Sequence, residues 1–493
     1  MTAVLAIDAG TTGVTALVVA ADGSVVARGY REFPQHFPEP GWVEHEPEQI
    51  WQAVLGACGD AVAASPVAPL AIGVTDQRET VVLWDRVTLR APRRAIVWQD
   101  RRTAALCNRL RDDGHDARVR EVTGLRLDPY FSGTKLTWLR ENEPDTWSGV
   151  ADGSLAVGTV DSYLLARLTA GRVHATDPSN ASRTLLYDLR GGRWSAEMCD
   201  LLGVPLAALP EVRPSSGDFG RADPAAFLGL DLPIGGVAGD QQSALFGQAC
   251  YASGSSKCTY GTGSFVLVNT GEWPVTSDAG LLTTVAWDLG SGPVYALEGA
   301  VFVTGAAVQW LRDGLRLISV AADVESLARE VPDSGGVVFV PALTGLGAPH
   351  WDPQARGTIV GITRGTTAAH LARATLDAIA FEVRDVVDVM VREAGVVLSE
   401  LTVDGGASAN DLLCQLQADQ LGVPVRRPRT LETTGLGAAF LAGLAVGVWS
   451  STDELASTWQ LDRSFEPVDG VREDGGHDRW RRAVDRSRGW ADS

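Results

Sequence analysis

The sequence predicts an α/β protein built from two halves of one architecture. Three observations carry this. At 493 residues with 45% hydrophobic content, the chain exceeds what one core can organise and fits two or three domains. A strand-turn-strand pattern at the N-terminus returns after residue 250. Helical periodicity fills much of the second half.

Residues 4 to 33 read as an antiparallel meander. Apolar Val4-Leu5-Ala6-Ile7 leads to a turn at Gly10-Thr11-Thr12-Gly13, a strand from Val14 to Ala20, a turn at Asp22-Gly23 and a third strand from Val25. The later copy is Lys257-Cys258-Thr259-Tyr260, a turn at Gly261-Thr262-Gly263, and the apolar strand Ser264-Phe265-Val266-Leu267-Val268. Between them, Pro210 to Gly239 is rich in Pro and Gly and reads as irregular chain. The domain boundary is expected near residues 246 to 255, giving units 1–250 and 251–493. Helices are expected over His370 to Glu393 and Asn410 to Leu421, and the polar tail from Glu466 to Ser493 reads as a solvated surface segment.

Composition narrows the function. A net charge of −19 is wrong for a phosphate-backbone partner, so no nucleic acid is expected. No run of about 18 apolar residues is present and the N-terminus lacks a basic signal region, so neither membrane insertion nor secretion is expected; a cytoplasmic location is. The six cysteines form no C-x-x-C pair and read as buried free thiols, and the Asn180-Ala181-Ser182 sequon is then accidental.

The segment Ala238-Gly239-Asp240-Gln241-Gln242-Ser243 is the most informative. A carboxylate after a glycine and before small residues suits a general base facing a bound alcohol, because a base must lie within hydrogen-bond reach of its proton. An isolated Gly-Asp pair could equally be a helix cap. Phosphate-binding signals decide between the two. The chain has no Gly-Lys dipeptide, which excludes the G-x-x-x-x-G-K-[ST] loop, and no complete G-x-G-x-x-G. It has instead two Thr-bearing turns, Asp8-Ala9-Gly10-Thr11-Thr12-Gly13 and Tyr260-Gly261-Thr262-Gly263, each before an apolar strand, whose N–H and hydroxyl groups can grip phosphates from two sides. A third element, Val403-Asp404-Gly405-Gly406-Ala407-Ser408-Ala409-Asn410, runs from a strand end through Gly-Gly into a helix where a nucleotide can approach the backbone.

At these residues the chain resembles the FGGY family of carbohydrate kinases, and within it the members that act on glycerol. The match spans nearly the whole chain and includes Pro40-Gly41-Trp42-Val43-Glu44-His45, Gln77-Arg78-Glu79-Thr80, Ile96-Val97-Trp98-Gln99, Asp128-Pro129-Tyr130-Phe131-Ser132-Gly133-Thr134-Lys135, Asn180-Ala181-Ser182-Arg183-Thr184, Gly239-Asp240-Gln241-Gln242, Leu297-Glu298-Gly299-Ala300 and Thr344-Gly345-Leu346-Gly347-Ala348-Pro349. The resemblance implies the two-domain fold of actin, sugar kinases and heat-shock ATPases, ribonuclease H-like, with a cleft between domains. It implies that Arg78, Glu79, Tyr130, Asp240 and Gln241 hydrogen-bond the hydroxyls of glycerol while Trp98 and Phe265 cover its carbons. It further implies that Thr11, Thr12, Gly13, Thr262, Gly305, Gln309, Gly406 and Asn410 contact ATP, that Asp8 helps place Mg²⁺, and that Asp240 takes the proton as the γ-phosphoryl moves. Relatives are commonly homodimers or homotetramers.

The chain departs from the family's pattern in three places. Ala9 and Thr15 stand where relatives carry Gln and a phosphate-contacting Arg, and Asp76 stands where Asn is common, which touches substrate choice. The Gly-Gly-Thr-Arg loop through which some relatives bind fructose 1,6-bisphosphate is replaced by Phe227-Leu228-Gly229-Leu230-Asp231-Leu232-Pro233, and no histidine lies between His174 and His350 to be phosphorylated. Insensitivity to both signals is expected, and inhibition by fructose 1,6-bisphosphate would overturn the first. Restoring the missing charge with Thr15→Arg is expected to lower the KM for ATP or raise kcat; steady-state kinetics unchanged by the substitution would show that the charge is dispensable.

Overall fold

The computed structural model describes residues 2–468 and 474–491. Two sheets organise it. The first has five strands: β1 (Ala3–Ala9), β2 (Gly13–Ala20), β3 (Val25–Glu32), β4 (Ile72–Asp76) and β5 (Ile234–Gly239), in the spatial order β5-β4-β1-β2-β3. β1, β2 and β3 pair antiparallel, as the meander requires, while β4 and β5 add in parallel on the other side of β1.

The second sheet has seven strands: β6 (Ser256–Tyr260), β7 (Ser264–Gly271), β8 (Leu282–Asp288), β9 (Pro293–Val301), β10 (Leu401–Asp404), β11 (Val425–Pro428) and β12 (Leu461–Phe465), ordered β8-β9-β7-β6-β10-β11-β12. Here too an antiparallel trio, β6, β7 and β9, is followed by parallel β10 and β11 beyond β6. The repeat read from the sequence is therefore a repeat of topology.

Seven helices frame the site: α1 (Pro47–Ala64), α2 (Val160–Leu168), α3 (Asp240–Gly247), α4 (Ala368–Ala394), α5 (Asp411–Leu421), α6 (Thr433–Ala445) and α7 (Gly475–Ser487). β1 is apolar from Ala3 to Ile7 because both its faces are covered. Leu5 and Ile7 join a core with Val54 of α1 and Leu164 of α2, whereas Val4 and Ala6 join a core with Phe246 of α3 and Leu441 of α6. That second core also takes Leu267 and Ala296 from the other sheet, so it forms the seam between the halves.

The seam is built on glycine. A Cβ at Gly437 of α6 would lie 1.8 Å from the Ser243 carbonyl of α3, and one at Gly247 would lie 2.1 Å from the Thr433 carbonyl. One at Gly73 of β4 would meet the Ala438 carbonyl at 2.0 Å. Backbone packs directly on backbone, which no larger residue permits.

Two expectations are corrected. Pro210–Gly239 is not irregular to its end, because its last six residues form β5, entirely buried. Its glycines serve close packing: a Cβ on Gly236 would come within 2.5 Å of the Ala442 nitrogen. The tail, whose residues 469–473 and 492–493 lie outside the described ones, is not all solvated surface. Its helix α7 is amphipathic and buries Trp480, Ala483 and Val484 against Val338, Val340 and Phe381. The overall polarity of the segment masks three apolar positions at helical spacing.

The two expected helices form with close to the expected limits; α4 ends at Gly395, whose φ of 63° is a left-handed cap. All six cysteines are free and buried, and Asn180 is fully buried. No helix among the described residues is long and apolar enough to cross a membrane.

Candidate active site

The C-terminal ends of β1, β4 and β5 deliver Asp8, the Asp76–Glu79 segment and Asp240 to one region. Asp240 is the first residue of α3 and not its cap, which is Gly239. Its Oδ1 accepts from the Gln241 backbone N–H at 2.7 Å and lies 3.1 Å from Arg78 Nε. Gly239 is needed because a Cβ there would meet the Arg78 side chain at 2.7 Å.

Arg78 is the hub. Its side chain is 2% exposed, so the pair with Glu79 is not a surface ion pair. Nη1 donates to Gln242 Oε1 at 3.2 Å and to Glu298 Oε2; Nη2 donates to Tyr130 Oη at 3.2 Å and to Glu298 Oε1 at 3.1 Å. The Phe265 ring lies 5.9 Å from the guanidinium. Glu79 sits at φ 63°, a left-handed conformation costly for this residue type, and is held by Arg183 Nε at 2.7 Å. Trp98 packs edge-on to Tyr130 at 5.5 Å and donates its indole N–H to Thr11 Oγ1 at 2.9 Å. Gln241 Oε1 accepts from the buried Lys257 ammonium, which also donates to Thr259 Oγ1 at 2.7 Å. The structure thus brings Arg78, Glu79, Trp98, Tyr130, Asp240, Gln241 and Phe265 together. Of these, Trp98, Asp240 and Phe265 remain partly open to the cleft.

Charge in this region is finely partitioned by neighbours. Burial pulls the Glu298 carboxyl upward, yet Arg183 and Arg78 hold it down at about 2. For Glu79 burial outweighs the same two cations and its carboxyl is raised. Burial lowers the Lys257 ammonium. Arg183, Glu298 and Lys257 had no role from sequence, because a buried partner is defined by what lies across the seam and not by local spacing.

Five expected nucleotide residues, Thr262, Gly305, Gln309, Gly406 and Asn410, line one cavity of about 360 Å³ in the second half. Val308, Leu376 and Ile379 give it an apolar wall, with Gln309, Arg312 and Glu325 as polar groups, a composition suited to a flat heteroaromatic ring with a polar edge. The Gly261–Gly263 turn is pinned by N–H bonds from Thr304 and Gly305 to the Thr262 and Gly261 carbonyls, 2.8 and 3.0 Å. Gly405, at φ 82°, lies so close to Tyr260 that a Cβ would sit 2.5 Å from its carbonyl. Asn410 caps α5, its Oδ1 accepting from Leu413 N–H at 2.9 Å.

Thr11, Thr12 and Gly13 do not line this cavity. They form the β1–β2 turn in the first half, and the Trp98 indole links Thr11 to the Arg78 cluster. Asp8 continues the seam-facing side of β1, paired across the ladder with Thr15. Burial, then Asp240 and Glu432, push its carboxyl up to about 8. Two mutually repelling carboxylates of this kind fit Mg²⁺, which is held by one or two carboxylates together with phosphate oxygens. No cluster of three metal-ligating side chains occurs among the described residues.

The models of the N-terminal and C-terminal domains of the FGGY family of carbohydrate kinases match residues 3–247 and 256–446. The chain belongs to this family. It is 54% identical to a glycerol kinase of Bordetella parapertussis, over 99% of this chain and 97% of that one. It is 55% identical to a glycerol kinase of Trichlorobacter lovleyi over 100% of both. The structure of Plasmodium falciparum glycerol kinase with ADP superposes with a TM-score of 0.91 at 33% identity, over 99% of this chain and 98% of that one. Ligand-bound xylulose kinase of Lactobacillus acidophilus, at 22% identity and TM-score 0.88 over 99% and 97% of the two chains, shares the fold. The two-domain sugar-kinase fold expected from the sequence is the fold of this FGGY kinase.

Asp76 is fully buried, and its Oδ2 accepts from the Asp161 N–H at 3.2 Å, on the α2 side of the sheet, while Oδ1 has no partner. Burial, then Asp161 and Asp240, push this carboxyl well above its usual range. A raised carboxyl costs stability increasingly as pH climbs from the unfolded value toward the folded one. Asp76→Asn is therefore expected to raise Tm by about 2–4 °C at pH 8 and to lose that advantage near pH 4, as read by thermal melts across pH.

Proposed function

We propose that this FGGY kinase transfers the γ-phosphoryl group of ATP to a primary hydroxyl of glycerol, giving glycerol 3-phosphate. The observation that carries the reading is Asp240: a carboxylate 29% exposed, set among the closed donors and acceptors of Arg78, Glu79, Tyr130 and Gln241. The high identity to glycerol kinases over the full chain supports the choice of acceptor.

In this reading residues 1–250 carry the polyol and 251–493 the nucleotide. A small triol offers little apolar surface, so selectivity comes from paired hydroxyls, with an unpaired group costing about 1–3 kcal/mol. Arg78, Glu79, Tyr130 and Gln241 hydrogen-bond the hydroxyls, and Trp98 and Phe265 close over the carbons. Asp240 accepts the proton of the attacking hydroxyl, and the Arg78 guanidinium 3.1 Å away orients it.

ATP lies with its base in the 360 Å³ cavity between Gln309 and Asn410, and its phosphates run from the Thr262 turn toward Thr11, Thr12 and Gly13. Mg²⁺, when bound, offsets the charge on the phosphate oxygens, and Asp8 is the carboxylate placed to hold it. Transfer is in line, and the protein's contribution is position and charge rather than covalent chemistry. The indole bond from Trp98 to Thr11 joins the acceptor wall to the phosphate turn, so closing the cleft orders both together. Cytoplasmic location and a homodimeric or homotetrameric assembly belong to the same reading.

The test is ADP release from Mg²⁺-ATP with glycerol, erythritol, dihydroxyacetone, xylulose or no acceptor. Glycerol is expected to be preferred, and Asp240→Asn to reduce kcat roughly 10²- to 10⁴-fold. Preference for another acceptor would reassign the substrate within the family.

A further inference from the structure

Glu298 stands on β9, in the sheet that carries the nucleotide cavity, between β7 and β8. Its side chain is fully buried and points across the seam into the first half. Both oxygens accept from Arg78, and Oε1 also accepts from Arg183 Nη2 at 2.9 Å. The other carboxylates paired with these two arginines, Glu79 and Asp240, belong to the first half.

We infer that Glu298 is a positioning residue for Arg78, supplied by the opposite half so that polyol affinity depends on how the two halves sit. The inference rests on the reading that Arg78 binds the polyol.

A two-oxygen cradle fixes the plane of a guanidinium, because the parallel N–H bonds leave it no freedom to rotate. Without the cradle, Arg78 has Asp240 and Glu79 as its remaining anions, both reached through Nε. The guanidinium would then swing toward the base and away from the hydroxyls it is set to meet. Glutamine at position 298 keeps the volume and one acceptor but turns an NH₂ group toward N–H donors, so one arm of the cradle is lost. Aspartate keeps the charge and shortens the reach by one methylene.

The experiment measures KM for acceptor and for ATP, with kcat, in wild type, Glu298→Gln and Glu298→Asp. Glu298→Gln is expected to raise the acceptor KM about tenfold or more while the ATP KM stays within about twofold, and Glu298→Asp to fall between it and wild type. Acceptor binding by calorimetry without nucleotide should show the same ratio. A purely structural role would lower Tm and active fraction with both KM values unchanged, and that result would overturn the inference. If Glu298→Gln does not fold, the Glu298→Asp comparison decides alone. If wild type prefers a polyol other than glycerol, the same measurements are made with that polyol, so the glycerol reading can fail while this one stands. A chain that binds no polyol at all would sink both.

Discussion

Everything at the centre of this protein depends on one buried guanidinium, that of Arg78, being held among carboxylates from both halves. Its Nε meets Asp240, its two Nη groups meet Glu298, Gln242 and Tyr130, and Glu298 in turn pairs with Arg183, which holds Glu79. A cation taken out of water at such depth is tolerated only when every donor finds an acceptor. That requirement brings β4, β5, the Tyr130 segment and β9 to a single point. A buried ion network contributes little net stability, since desolvation offsets its attraction, but it does select one arrangement over others. Here the selected arrangement leaves the Asp240 carboxylate partly open.

Division of labour between the halves follows from the shared topology. Each sheet joins the first two strands of its antiparallel trio by a Thr-bearing turn, and each adds two parallel strands beyond the first of them. In the first half the parallel ends supply carboxylates and a guanidinium. In the second, the Asp404–Gly405–Gly406 end and α5 wall a cavity, with Glu325 bonding the Asp411 and Leu412 N–H groups at the helix start. The same scaffold thus gathers ions at the strand ends of one half and backbone with apolar surface at those of the other.

Much of this was legible in the sequence, for physical reasons. Tight turns need Gly and Thr in sequence order, so the Gly10–Gly13 and Gly261–Gly263 hairpins were readable, as were α4 and α5 from their 3.6-residue period. The buried ion cluster was legible only as far as local motifs reach: Arg78, Glu79 and Asp240 stood out in the sequence, whereas the pairing of Arg78 with Glu298, 220 residues away, did not. β5 was misread because Gly235 and Gly236 look like loop, although they are small in order to admit α6. The helix α7 was missed because Trp480, Ala483 and Val484 are diluted by charged neighbours.

The glycine seam carries a further meaning. At positions 73, 247 and 437, added atoms would fall 2.0, 2.1 and 1.8 Å from carbonyl oxygens of the facing helix. Selection at these sites therefore acts on size. In a survey of tolerated substitutions they would be as invariant as Arg78 itself, and a map of intolerance across this enzyme would outline two things at once: the buried ion cluster, and the joint on which its halves rest.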